Sequence, residues 1–82
     1  MASRQDLIQG IEAAIAGDWD AAHAVAQLNE GDRDFCWLHA CLHKIEGDEA
    51  NARFWYGQSG HAYEAYTDPK SELAAMKAAL TY

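Results

Sequence analysis

An 82-residue chain with half its residues apolar has material for one domain around one modest core, and too little for two. Its 13 acidic against 6 basic residues leave a net charge of -7, which disfavours a phosphate-tracking surface for nucleic acid and, on the same electrostatic ground, adsorption to anionic membranes. No run of about 18 apolar residues occurs, and Met1-Ala2-Ser3-Arg4-Gln5-Asp6 has no signal-peptide pattern, so the expectation is a soluble cytoplasmic protein with neutral or basic partners.

In chain order, the first predicted helix covers about residues 4–16, with Ser3 as N-cap, Asp6 three residues on, and Leu7, Ile8, Ile11 and Ile15 at helical spacing. Gly17 ends it. Asp18 then accepts the free amides of a second helix reaching about residue 28, with Trp19, Ala22, Val25, Ala26 and Leu28 as its expected buried positions. Asn29-Glu30-Gly31-Asp32 reads as a loop, and Asp32 or Asp34 caps a third helix that runs to Glu46 before Gly47 repeats the stop. Trp37, Leu38, Cys41, Leu42 and Ile45 cover an arc of more than about 100° on that helix, enough to face two neighbours, which makes it the expected hub. A fourth helix begins after Asp48, carries Ala52, Phe54, Trp55 and Tyr56, and loses its pattern across Gly57-Gln58-Ser59-Gly60. Residues 61–67 show no clear period. The last helix opens on Asp68 with Pro69 at its first position, where a missing amide hydrogen is harmless, and continues through Leu73, Met76 and Leu80. No strand is expected, because the run Phe54-Trp55-Tyr56 is short and close to a strong helix start.

Gly17-Asp18-Trp19-Asp20-Ala21-Ala22 and Gly47-Asp48-Glu49-Ala50-Asn51-Ala52 repeat a Gly-Asp turn thirty residues apart. Carried back one helix, the offset superposes Leu7, Ile8, Ile11 and Ile15 on Trp37, Leu38, Cys41 and Ile45. The expected fold class is therefore all-α: two antiparallel helical hairpins related by the repeat, with a C-terminal helix capping the open end of the second. Ile11, Ile15, Val25, Trp37, Leu38, Leu42, Ile45, Trp55 and Leu73 form the expected core.

The segment Ala50-Asn51-Ala52-Arg53-Phe54-Trp55-Tyr56 after its Gly-Asp turn resembles the second helix of tetratricopeptide and Sel1-type repeats. The period here is thirty residues rather than about 34, and the Trp, Gly, Tyr and Pro signature of that repeat is absent. Trp37-Leu38-His39-Ala40-Cys41-Leu42-His43-Lys44-Ile45-Glu46-Gly47-Asp48, with Phe54-Trp55-Tyr56, is similar to a group of small bacterial proteins with relatives in fungi, over about residues 11–60. That resemblance implies the helical fold and brings no activity with it. Where the group has basic residues and an Ala-Gly after the aromatic run, this chain has Gly57-Gln58-Ser59-Gly60, which removes the ground for anion binding.

His39 and His43 stand at i and i+4 on the third helix, the spacing that brings two imidazoles to one divalent transition metal such as zinc. Cys36 and Glu46 share the face, but they lie about 15 Å apart along the helix, so one ion takes only an adjacent pair from this stripe. A closed site then needs His23, His61 or a carboxylate from another helix. The competing reading keeps both histidines as core-flanking residues that bond a neighbouring helix, or the carboxylate of Glu46 or Glu12.

Cys36 and Cys41 project about 140° apart on one helix, which excludes a bridge between them and leaves free thiols. Cys41 reads as packed, and Cys36 at the edge near His39 as a thiol whose pKa falls if it is exposed beside an imidazolium. The pair lacks an oxyanion donor and an orienting third group, and no hydrolase elbow, Walker loop or dinucleotide fingerprint occurs, so no enzyme is expected. Glu30, Asp32 and Asp34 lack the ligand ladder of a calcium loop. Phe54, Trp55 and Tyr56 point in directions about 100° apart, so at least one reaches outward. Tyr56, with Tyr63, Tyr66 and the terminal Tyr82, forms the candidate exposed aromatic rim for partner binding. The favoured expectation is a small interaction module presenting helices two and four to a peptide, a protein or a second copy of itself as homodimer. The alternative is metal binding or sensing through His39 and His43.

Overall fold

An oxygen-bearing side chain precedes every helix, and each one is used. In the computed structural model, which describes residues 2–81, the chain forms α1 (Arg4–Ile15), α2 (Trp19–Ala26), α3 (Arg33–Glu46), α4 (Glu49–Ser59) and α5 (Pro69–Thr81). Ser3 Oγ accepts from the Asp6 amide at 3.2 Å while Asp6 Oδ2 accepts from the Ser3 amide at 2.9 Å, a reciprocal capping box. Asp18 accepts from the Ala21 amide, Asp32 from those of Asp34 and Phe35, Asp48 from that of Asn51, and Asp68 from that of Lys70. Among the described residues there is no strand, and no helix is long and apolar enough to cross a membrane.

The two Gly-Asp turns share one geometry. Gly17 and Gly47 adopt φ of 87° and 85°, and the following Asp18 and Asp48 amides each donate 2.9 Å back to the carbonyls of Ala13 and His43. With the glycine amides bonded to Ala14 and Lys44, these are Schellman closures. Each closure is followed at once by the aspartate cap of the next helix, so the chain reverses within three residues and α1 lies on α2 as α3 lies on α4.

The core is built around α3, in which Phe35 through Leu42 are all buried. Leu7, Ile11 and Ala14 of α1, Ala22 and Ala26 of α2, Ala52 and Tyr56 of α4, and Leu73, Met76 and Leu80 of α5 pack on it or beside it. Two expected core residues, Ile15 and Ile45, are 50% and 43% exposed, and Leu28, an expected buried position of the second helix, is 60% exposed. Ile15 and Ile45 occupy the last turns of α1 and α3, past the cover of their neighbours, and α2 ends at Ala26, so the 3-10 turn at Gln27–Asn29 swings Leu28 outward. Val25 and Trp55 are half-buried. A further correction concerns α5, which lies against α1 and α3 rather than over the open end of the second hairpin. Its apolar stripe enters the groove between those helices, and Arg4 Nη1 clasps the Leu80 carbonyl at 3.0 Å.

α1 and α2 approach closely at Gly10, where a Cβ would stand 2.6 Å from Val25 Cγ1 and 2.8 Å from Val25 Cβ. Because the obstruction includes the stem of a β-branched side chain, rotation cannot clear it. Gly10→Ala therefore sets a helix-propensity gain of about 1 kcal/mol against overpacking of about 1–3 kcal/mol. The expected net result is a loss of stability, read as a lower urea midpoint with an unchanged slope.

Glu72 of α5 is fully buried in this core. Its Oε2 accepts from Trp37 Nε1 at 2.8 Å and from the Tyr56 hydroxyl at 2.7 Å, and its Oε1 from Lys44 Nζ at 2.8 Å. The Lys44 ammonium also donates to the carbonyls of Tyr63 and Tyr66 at 2.9 and 3.0 Å. Removing one member of a buried, fully bonded ion pair strands the other. Glu72→Ala is therefore expected to lose about 3–5 kcal/mol in urea unfolding, and Glu72→Gln less, since an acceptor oxygen stays within reach of Trp37 and Tyr56.

Candidate metal centre

α2 is only two turns long, and its His23 projects towards the face of α3 that carries His39 and His43. The indole of Trp19 stacks on His23 with centroids 4.5 Å apart and donates 2.8 Å to the Leu42 carbonyl, fixing α2 on α3. His39 is buried, stacked on Trp55 of α4 at 4.1 Å and parallel to His43 at 4.9 Å. His43 Nδ1 lies 2.6 Å from Glu46 Oε1, and His23 Nε2 lies 3.1 Å from His39 Nε2. One ring nitrogen from each histidine falls within 4.8 Å of the others.

Those separations suit a single small cation. Zinc–nitrogen bonds of about 2.0–2.1 Å in tetrahedral geometry set nitrogen–nitrogen edges of about 3.3 Å. The His23–His39 pair is already near that edge, and the remaining pairs need only an inward adjustment of the rings. The Glu46 carboxylate holds the His43 proton on Nδ1 and leaves the Nε2 lone pair free, the outer arrangement that orients metal-bound imidazoles. Among the described residues one buried side-chain nitrogen or oxygen has no hydrogen-bond partner, His39 Nδ1, and Glu30 Oε2 stands 4.0 Å from it.

Burial and mutual proximity favour the neutral forms of His39 and His23, the forms in which imidazoles act as ligands. Burial, then the facing His23 and His43, drive the His39 pKa down to about 4, and burial followed by His43 lowers that of His23. A second grouping, His43 with Glu46 and Asp48, shares His43. There the Asp48 carboxylate is engaged by the Asn51 amide and side chain, which hold its pKa below the ordinary value.

Of the sequence-derived site residues, His39 and His43 come together with His23, whereas His61 stacks on Trp37 at 3.7 Å and is not in the trio. Glu12 pairs with Lys77 of α5, not with a histidine. Cys36 is buried, its thiol donates to the Glu30 carbonyl at 3.2 Å, and burial with the charges of Asp32 and Glu30 pushes its pKa up, the opposite of an activated thiol. Cys41 is buried and raised further, by burial first.

The exposed aromatic rim is corrected. Tyr56 is 2% exposed, drawn inward by its bond to Glu72. Tyr63 and Tyr66 are half-buried, their carbonyls taken by Lys44, and Tyr82 lies outside the described residues. Phe54, 57% exposed, is the α4 ring that reaches outward. The exposed Ile15 and Ile45 instead line an apolar cleft of about 460 Å³ with Pro69 and Leu73, bordered by Lys70. The sequence showed no sign of Glu30 beside His39, because the two belong to different elements and meet through the loop between α2 and α3.

The chain matches no protein-family model, no curated protein and no solved structure.

The depressed imidazoles have a consequence for the metal-free protein. Between the ordinary value of 6.5 and the folded value of about 4, His39 binds a proton in the unfolded chain and not in the native one. Stability then falls as pH drops through that window, and levels off below it as far as His39 is concerned. Thermal melting of chelator-treated protein from pH 7.5 to 4 is expected to show this decline, reduced in slope by His39→Leu.

Proposed function

We propose that this protein binds one divalent transition metal ion, zinc being the best fit, through His23, His39 and His43. The observation that carries the reading is the convergence of three imidazole nitrogens from two helices within 4.8 Å, with the His43 tautomer already set by Glu46. Imidazole sets suit zinc, copper, iron and nickel, and a set without thiolates places this site among the borderline ions. Because α2 and α3 both supply ligands, a bound ion would clamp the first hairpin to the second. The proposed role is non-catalytic: metal retention or sensing, reported through the stability of that junction.

A second reading, an interaction module for a protein, a peptide or a second copy, is favoured by the cleft between Ile15 and Ile45, where two large aliphatic side chains stay exposed at matching ends of α1 and α3. Kinship with tetratricopeptide-type hairpins is likewise proposed, on the recurrence of the Gly-Asp closure.

An ion that binds only the native state stabilises it by about 2.7 kcal/mol at one hundred times its Kd, a rise in Tm on the order of 10 °C for a domain of this size. Calorimetric titration of metal-free protein with Zn²⁺ is expected to give one site, with the Tm rise reversed by EDTA. His39→Ala should abolish both effects, and Ile45→Asp should leave both intact while weakening any association through the cleft. Unaltered melting and no heat of binding would overturn the metal reading.

A further inference from the structure

We infer that Glu30 is a positioning residue for the metal centre: once the ion binds, its side chain swings in and its carboxylate accepts a hydrogen bond from His39 Nδ1–H. This inference rests on the metal-binding reading above.

A neutral imidazole carries one proton. His39 faces His23 through Nε2, so ligation by that atom leaves the proton on Nδ1, which is buried and has no partner. A buried N–H without an acceptor opposes the very tautomer that the metal requires. Glu30 Oε2 stands 4.0 Å from it, about 1 Å beyond an ordinary hydrogen bond.

The surroundings permit that gap to close. The Glu30 side chain is half exposed, whereas its backbone carbonyl is already held by the Cys36 thiol at 3.2 Å. The main chain is thus anchored beside the site while the carboxylate moves. The completed arrangement would match the one at His43, where Glu46 already sits 2.6 Å from Nδ1. Two outer carboxylates would then raise the basicity of two ligands and offset the charge of the ion, the usual effect of such partners being 10–100-fold in affinity.

The test measures Zn²⁺ affinity by competition with a chromophoric chelator, for the wild-type protein, Glu30→Ala, Glu30→Gln and His39→Ala. Long-range ¹H–¹⁵N spectra of the histidine rings in the zinc-loaded protein accompany it. Glu30→Ala is expected to bind 10–100-fold more weakly while its metal-free form melts as wild type does. Glu30→Gln, which keeps an acceptor oxygen without the charge, falls between. In the loaded wild type, His39 Nδ1–H gives a signal protected from solvent exchange, and Glu30→Ala loses that protection. Wild-type affinity in Glu30→Ala, with zinc binding abolished in His39→Ala, would overturn the role of Glu30 and leave the metal centre standing. No zinc binding by the wild type would overturn both.

Discussion

A carboxylate with no solvent contact at the centre of so small a protein constrains everything around it. Glu72 would be prohibitively costly in an apolar core if left alone, since a buried charge must be paired and its remaining lone pairs filled. Here the indole of Trp37, the hydroxyl of Tyr56 and the ammonium of Lys44 fill them. Lys44 is in turn satisfied by two carbonyls of the α4–α5 connection and by the faces of Tyr56 and Tyr63. One ion pair therefore joins α3, α4, α5 and the loop before α5. Such a network adds less net stability than the same volume of hydrocarbon, but it tolerates few alternative arrangements of the elements that supply its donors.

That constraint reaches the histidines through the rotation of α4. Consecutive residues on a helix diverge by about 100°, so once Tyr56 is committed to Glu72, Trp55 is turned towards His39 and Phe54 towards the outside. On α3 the same division appears. Trp37 and Lys44 serve the Glu72 side, whereas His39 and His43 line the seam with α2. The helix is a partition between two polar clusters, with Leu38 and Leu42 fully buried between them. The bond that seats Tyr56 on Glu72 and the stacking of Trp55 on His39 are thus carried by adjacent residues of one helix.

What could be read from the chain follows the range of the interactions involved. Helix starts and the two Gly-Asp closures were legible because a cap or a left-handed glycine is decided within three or four residues. Burial at helix ends was not. Ile15, Ile45 and Leu28 carry the apolar pattern, but whether a last turn is covered depends on where the neighbouring helix stops. Tyr56 and Glu72 were misjudged or passed over for a related reason: a lone glutamate on an amphipathic helix reads as solvated until its three donors, on two other helices, are in view. The His39–His43 spacing was visible at once, and His23 was one of several possible third donors that only the packing of α2 could select.

The trio itself departs from what stability alone would choose. A seam between two packed helices is a place for leucine and alanine, and α2 itself buries alanine, at Ala22 and Ala26. Three imidazoles replace hydrocarbon beside them, one with a buried nitrogen lacking a partner, a desolvation penalty of about 1–3 kcal/mol. Two tryptophans are stacked against the rings and hold their orientation. Departures from local packing rules that are supported by their neighbours in this way concentrate where a protein does something other than fold. The aromatic walls restrain ring rotation, Glu46 fixes one tautomer, and burial with the facing rings favours the neutral forms of His39 and His23. On the proposed metal reading, each of these features reduces the reorganisation a cation would require on arrival.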